Sequence, residues 1–267
     1  MTNNESNWIL NQLNQQQLVS SEASCFSLQK GFSQRNYRVT DHQLPEKDFF
    51  VKRYPADYRP SQLTTLFHRF DSIAHASLTQ AAVYADPDNR LLVYPWIEGG
   101  TLAEMPLPME EKITQLTNKL VAVHQSPLSL PRLNPWSLVE GYIAEITKLN
   151  HPDAATLSQR FHNLKQPPNF IPLTTAPCHL DLSFDNIMQD GTIIDWEYAH
   201  HAPVSFDLAC TIVINQLNQF EQQELLAQYQ AKFSDMTLID VDIVDDMLEL
   251  ASILTKAWFL LNEQKQV

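Results

Sequence analysis

The chain has 267 residues, 44% of them hydrophobic and 18% charged, with 31 Asp and Glu against 18 Lys and Arg for a formal net charge of −13. This is ordinary globular composition and excludes disordered and fibrous classes. So acidic a chain repels a phosphate backbone, which excludes nucleic acid as an expected partner and suits a cationic small molecule.

At this length one large domain or two modest ones are expected. Cys25, Cys178 and Cys210 lie far apart, with no CxxC pair, and read as reduced structural thiols. The opening MTNNESNWIL lacks the basic start and apolar core of a signal peptide. No apolar run reaches the ~18 residues of a membrane span. A cytoplasmic protein without membrane insertion is expected.

The Asn/Gln-rich stretch Asn11–Gln17 reads as one face of a first helix. Residues 24–97 then carry short runs rich in β-branched and aromatic residues: Ser24–Lys30, Asn36–His42, Asp48–Tyr54, Gln80–Asp86 and Arg90–Ile97. Turn-forming residues separate them, so they read as strands of an antiparallel sheet. A helix over Pro60–Ala76 interrupts them, with Pro60-Ser61 at its start and Leu63, Leu66, Phe67 and Phe70 at helical spacing. Gly99-Gly100 permits unusual backbone angles and marks a hinge. Beyond it Glu110–His124, Trp136–Leu149, Ala154–Asn163, Ser205–Asn218, Gln219–Phe233 and Val241–Glu263 follow the 3.6-residue period of amphipathic helices. The expected organisation is a sheet-rich lobe over residues 1–97 and a mainly helical lobe over 98–267.

Chemistry concentrates in Cys178–Ala199, CHLDLSFDNIMQDGTIIDWEYA. Asp190-Gly191 between apolar runs predicts a two-residue type I′ hairpin turn. Counted outward from it, Ile187 faces Ile194 and Asn186 faces Asp195. Directly opposed residues share one side of the ribbon. An amide oxygen and a carboxylate so placed are ligands for a hard cation such as Mg²⁺, which takes one or two protein oxygens plus substrate phosphates. Asp181 stands five residues before Asn186; a carboxylate near a metal-bound phosphate, but not on the metal, accepts a proton from an attacking hydroxyl.

CHLDLSFDNIM resembles the HxDxxxxN catalytic loop of the aminoglycoside phosphotransferase and choline kinase superfamily, relatives of protein kinases. IIDWEYA resembles the metal motif of choline kinases and thiamine kinases, and SFDLAC (Ser205–Cys210) resembles the helix start that follows it there. The resemblance runs in order along nearly the whole chain. It implies an α+β, two-lobed protein-kinase-like fold, ATP and Mg²⁺ as cofactors, Asp181 as catalytic base with His179 beside it, and Asn186 and Asp195 on the metal. KGFSQRNYRV (residues 30–39) resembles the phosphate-covering loop, through Gly31, Ser33 and Asn36. DFFVKRYP (residues 48–55) resembles the strand bearing the phosphate lysine: Lys52, or Arg53 if the register is one residue different. Kinases pair that lysine with a glutamate on the next helix, and none occurs between Glu46 and Glu98. Gln62, Asp71 or the phosphate alone then holds the lysine. LLVYPWIEGG (residues 91–100) resembles the last strand and hinge, where Tyr94, Trp96 and Ile97 face the base. LVAVHQSPL resembles a helix end with a packing role, and Asp207 is expected to cap its helix and hold the catalytic loop.

Quaternary cations are recognised by aromatic faces and nearby carboxylates. Trp196, Glu197, Tyr198 and Trp258, with Phe259, are the candidates here. The resemblance and the acidic charge imply a phosphotransferase acting on a small cationic alcohol of choline, ethanolamine or thiamine type. The alternatives are an aminoglycoside phosphotransferase and a catalytically silent kinase-like nucleotide-binding protein. A metal hydrolase built on His179, Asp181 and His200-His201 lacks the helical HExxH spacing.

Overall fold

A computed structural model describes residues 2–28, 34–44, 47–164, 174–232 and 241–264. It divides into two compact units, Met1–Glu98 and Gly99–Val267.

The first unit opens with helix α1 (Thr2–Gln15) and holds strands β1 (Ser24–Leu28), β2 (Arg35–Thr40), β3 (Phe49–Arg53), β4 (Tyr84–Asp86) and β5 (Leu91–Pro95). They form one antiparallel sheet in the order β1-β2-β3-β5-β4. All five strands read from the sequence are present; β2 begins one residue earlier than read, and β3, β4 and β5 are shorter than read. Successive strand residues point to opposite faces. Tyr37, Val39, Phe49, Val51, Leu91 and Val93 therefore form one apolar surface, and Ile9 and Leu13 of α1 close over it. Full burial of side chains of this size is worth about 1.5–3 kcal/mol each. Helix α2 (Pro60–His75) inserts between β3 and β4 in sequence and buries Leu63, Phe67, Phe70 and Ile73. Its Pro60 occupies the first turn, where a missing N–H costs nothing.

The second unit contains α3 (Met109–His124), α4 (Pro135–Lys148), α5 (Ala154–Asn163), β6 (Thr175–Cys178), β7 (His200–Pro203), α6 (Val204–Ile214), α7 (Gln219–Ala231) and α8 (Val241–Gln264). Helix α6 is enclosed on all sides: Val204 and every residue from Phe206 to Ile212 are buried. Around it α4, α5 and α8 contribute Val139, Ile143, Leu157, Met247, Leu250 and Ile253 to a common core. Strands β6 and β7 pair antiparallel, Cys178 opposite His200, and frame the segment between them.

Helix α6 ends at Ile214, before the Asn218 expected from apolar spacing. Asn215 caps it, Gln216 turns left-handed at φ 52°, and Asn218 already caps α7 in a reciprocal box with Glu221. The signature Asn-x-x-Glu starts the second helix, while the first has already ended at Asn215.

Candidate active site

The segment between β6 and β7 departs from the expected two-residue hairpin. The Gly191 N–H donates to Met188 O at 2.8 Å, the Met188 N–H to Thr192 O at 2.8 Å, and the Ile194 N–H to Asn186 O at 2.9 Å. Ile187 thus faces Ile193, and the register lies one residue from the expected one. A type I′ turn needs two consecutive left-handed residues. Of Asp190 and Gly191 only Gly191 is left-handed, at φ 86°. The loop is the three-residue form, in which the glycine makes the bulge. Asn186 therefore faces Ile194 rather than Asp195. It closes a 3₁₀ turn, Phe184–Asn186, and a second such turn, Trp196–Tyr198, follows Asp195.

Asp207 fixes the start of this segment from α6. It is 0% exposed and accepts from the Leu180 N–H at 2.7 Å, the His179 N–H at 3.2 Å and His124 Nε2 at 2.8 Å. Burial alone raises its pKa; the hydrogen bonds from His124 and the Leu180 N–H, with the neighbouring imidazoles, outweigh that and lower it. It lies in the first turns of α6 yet makes no cap, since no side chain caps that helix. It does hold the loop. His124, read as a packing residue, is the middle of a polar chain: its Nδ1 meets the Tyr229 hydroxyl at 2.7 Å. Since Asp207 only accepts, Nε2 carries the proton.

His179 does not reach solvent, being 0% exposed. Its Nε2 lies 3.0 Å from Ile194 O, and its ring packs on Trp196 with centroids 4.6 Å apart. It ties the loop to the segment that precedes Asp195. Leu180, held by Asp207, and Asp195 are both left-handed, at φ 64° and 65°. For residues with a Cβ this conformation costs of order 1–3 kcal/mol and gathers at functional sites.

Asp181 and Asn186 come together. Asn186 Nδ2 donates to Asp181 O at 2.7 Å and to Asp181 Oδ2 at 3.1 Å. This orients the Asp181 carboxylate and leaves Asn186 Oδ1 as the amide's acceptor atom. Asp195 directly follows Ile194, whose N–H is bonded to the Asn186 backbone. A half-buried amide and a half-buried carboxylate on the two paired segments are hard donors of the kind Mg²⁺ takes, so the residues present fit that ion.

Beyond Asp195 the chain places Glu197 and Tyr198. The Tyr198 phenol is pushed up by burial first, then by the carboxylate of Glu197, with smaller effects from Tyr142 and Asp181. Tyr142 is raised by burial and again by Glu197. Trp258 Nε1 donates to the Tyr198 hydroxyl at 2.8 Å, and the Trp258 ring meets Phe259 edge-on at 5.1 Å. Four of the residues read as substrate-binding candidates are thus sorted by the structure: Glu197, Tyr198 and Trp258 adjoin, while Trp196 is 3% exposed, with its indole N–H on Ile193 O. Tyr142 was not among the sequence candidates, because nothing in the periodicity of α4 separates it from a core residue.

In the first unit, Asn36 lies directly opposite Lys52 across β2 and β3, on the sheet face away from α1. Lys52 is buried. Arg53 belongs to the other face: its guanidinium stacks over Trp8 at 4.3 Å, with Nε 3.8 Å from Glu5, which also binds Arg35 and the Tyr37 hydroxyl. Gln62, one of the expected lysine partners, uses its Oε1 on the Arg59 N–H at 3.0 Å to close the cap of α2. Asp71, the other, is exposed and pairs with His75 within α2. Tyr94, Trp96 and Ile97 are half-buried at the end of β5. The Trp96 N–H donates to Asp48 O at 2.8 Å, and Arg38 stacks on the indole at 4.2 Å. Gly31 and Ser33 lie outside the described residues.

Residues 27–240 match the model of the phosphotransferase enzyme family, and the chain belongs to that family. It is a small-molecule phosphotransferase with an α+β, kinase-like fold. No curated protein matches the sequence. Among solved structures it is similar to choline kinase LicA from Streptococcus pneumoniae, with a TM-score of 0.77 at 16% identity over 98% of this chain and 92% of that one. An ethanolamine kinase from Plasmodium vivax gives 0.69 at 12% identity over 93% and 79%. An aminoglycoside 2′-phosphotransferase, solved with GDP, gives 0.70 at 15% identity over 98% and 92%. LicA has also been solved with AMP. Among the described residues no helix is long and apolar enough to cross a membrane.

Proposed function

We propose that this phosphotransferase moves the γ-phosphoryl group of ATP to the hydroxyl of a small cationic alcohol of choline, ethanolamine or thiamine type, with Mg²⁺ as cofactor. The observation that carries the reading is the pairing of Asp181 with Asn186 at 3.1 Å, in a loop whose neighbouring side chains, Glu197, Tyr198 and Tyr142, interact electrostatically. Asp181 orients the acceptor hydroxyl and takes its proton as the oxygen bonds to the γ-phosphorus and the bond to the ADP oxygen breaks. The Asn186 side chain fixes the rotamer of that base. Asn186 Oδ1 and the Asp195 carboxylate would hold Mg²⁺, which when bound offsets the negative charge of the phosphates. Lys52, with Asn36 across the ladder, supplies positive charge to the nucleotide phosphates. Catalysis of this kind is positioning and charge stabilisation rather than covalent chemistry.

The carboxylate of Glu197, with the rings of Tyr198, Tyr142 and Trp258, offers the negative charge and aromatic faces that a quaternary or primary ammonium group requires. The test is ATP consumption by the purified chain with Mg²⁺ against choline, ethanolamine, thiamine and kanamycin. Turnover with one of the first three is expected, and loss of that turnover in Glu197→Gln through a raised acceptor KM. Turnover with kanamycin alone would favour the aminoglycoside reading. Nucleotide binding with no phosphorylated acceptor would overturn the small-cation assignment, and no nucleotide binding at all would leave a silent kinase-like protein.

A further inference from the structure

The loop that carries Asp181 is held by α6 at a second point, which no sequence motif marks. Asn215, the residue that caps the C-terminal end of α6, accepts from the Phe184 N–H at 2.8 Å through Oδ1. Its Nδ2 donates to Leu182 O at 3.0 Å and to Thr211 O at 2.8 Å. The carbonyl of one residue and the N–H of the residue two further on are the pair that one residue of a parallel neighbouring strand engages through its own N–H and C=O. The Asn215 side-chain amide thus stands in for a strand residue beside Ser183. Its third hydrogen bond takes one of the carbonyls that a helix end leaves without a partner. Only an amide makes the full set: a carboxylate can accept from Phe184 but has no proton for either carbonyl, and an aliphatic side chain serves none of them.

Asp207 grips the loop at His179 and Leu180, and Asn215 grips it at Leu182 and Phe184. The two anchors are eight residues apart on one buried helix, about 12 Å along its axis. Asp181 lies between the gripped positions, and its backbone carbonyl is further fixed by the Ser183 N–H at 2.9 Å. A base clamped on both sides cannot drift along the chain. We propose that Asn215 is a positioning residue for Asp181, setting the height at which the base meets the acceptor hydroxyl. This rests on the phosphotransfer reading above. A displacement of about 1 Å in such a group is enough to cost about 100-fold in rate.

The experiment combines amide hydrogen exchange with steady-state kinetics on the full chain, using whichever acceptor the unaltered protein turns over. For Asn215→Leu, which removes the acceptor together with both donors, exchange at Phe184 is expected to rise about 10-fold or more, with His179 and Leu180 amides still protected. The same variant is expected to lose about 10-fold or more in kcat with the KM for Mg·ATP within about 3-fold. Asn215→Gln keeps both donors and the acceptor on a longer arm; recovery of part of kcat is expected, and this variant carries the test if the leucine variant does not fold. Unchanged Phe184 exchange with unchanged kcat would overturn the proposal. So would a loss of kcat accompanied by lost protection throughout α6 and α8, which marks a merely structural role. An unaltered chain that binds nucleotide but phosphorylates nothing would defeat the phosphotransfer reading before any variant is made. In that chain faster Phe184 exchange would still support the anchor, and unchanged exchange would overturn it.

Discussion

Replacing Asp207 by Ala removes the acceptor for three donors at once: the N–H groups of Leu180 at 2.7 Å and His179 at 3.2 Å, and His124 Nε2 at 2.8 Å. The site is 0% exposed, so no water replaces the carboxylate without rearrangement. Each orphaned buried donor costs about 1–3 kcal/mol, and the three share one acceptor, so their costs do not simply add. Three such donors lose their acceptor together, so about 3–5 kcal/mol is the expected destabilisation, more than one orphaned donor and less than the sum of three. That is from about a fifth to the whole of the roughly 5–15 kcal/mol that holds a typical domain together. Urea unfolding at pH 7, followed by tryptophan fluorescence, measures it. The pH dependence gives a second handle. The Asp207 pKa is held below the ordinary carboxylate range by His124 and the Leu180 N–H in spite of burial. Its stabilisation is therefore complete above the unfolded-state value of about 3.9 and is lost as pH falls through the lower folded value. Asp207→Asn should flatten this acid limb. A loss below about 1 kcal/mol in the alanine variant, or an equally steep acid limb in the asparagine variant, would refute the role of the carboxylate as anchor.

Asp181→Asn is expected to reduce kcat by about 100- to 10,000-fold, the usual contribution of a general base, while Mg·ATP affinity measured by calorimetry stays within about 2-fold. Lys52→Met should raise the KM for ATP by about 10-fold or more, at the roughly 1.4 kcal/mol per tenfold of a lost charge-assisted contact. Arg53→Met should leave that KM unchanged and instead cost about 1 kcal/mol of stability through its contacts with Trp8 and Glu5. Gly191→Ala forces a Cβ into the left-handed bulge, 2.8 Å from the mobile Lys119 Nζ; the lysine end swings aside, and the remaining backbone cost of about 1–2 kcal/mol should appear as a lowered Tm.

The helices were legible because their apolar residues recur at the right period, and α5 begins and ends where that period says, at Ala154–Asn163. The sheet was legible because alternation and turn residues agree. Asp181, Asn186 and Asp195 stood out through spacing within one short segment, and the structure brings Asp181 and Asn186 into contact. The hairpin register was not legible. Asp-Gly suits both a two-residue turn and a three-residue loop with a bulge, and only the Met188–Thr192 pairing decides. The early end of α6 depends on a side chain turning back to the helix, through the bond from Asn215 to Thr211. Tyr142, Tyr229 and Asn215 carried no signal because their partners are distant in sequence: Tyr229 meets His124, 105 residues away. The side of the sheet on which Arg53 acts followed from alternation, but its engagement by α1 did not, since that requires knowing which face the first helix covers.

Helix α1 behaves as a small internal subunit. It places Ile9 and Leu13, both 0% exposed, into the core of the sheet and fixes Arg35, Tyr37 and Arg53 through the single carboxylate of Glu5. It joins β1 by a short connection without regular structure, Gln16–Ala23. A chain cut there should keep its sheet only while the fragment remains bound, and the linkage supplies an effective concentration in the millimolar range. The first helix is thus a natural place to divide the protein into two complementing fragments, with folding of the sheet as the reporter of their association.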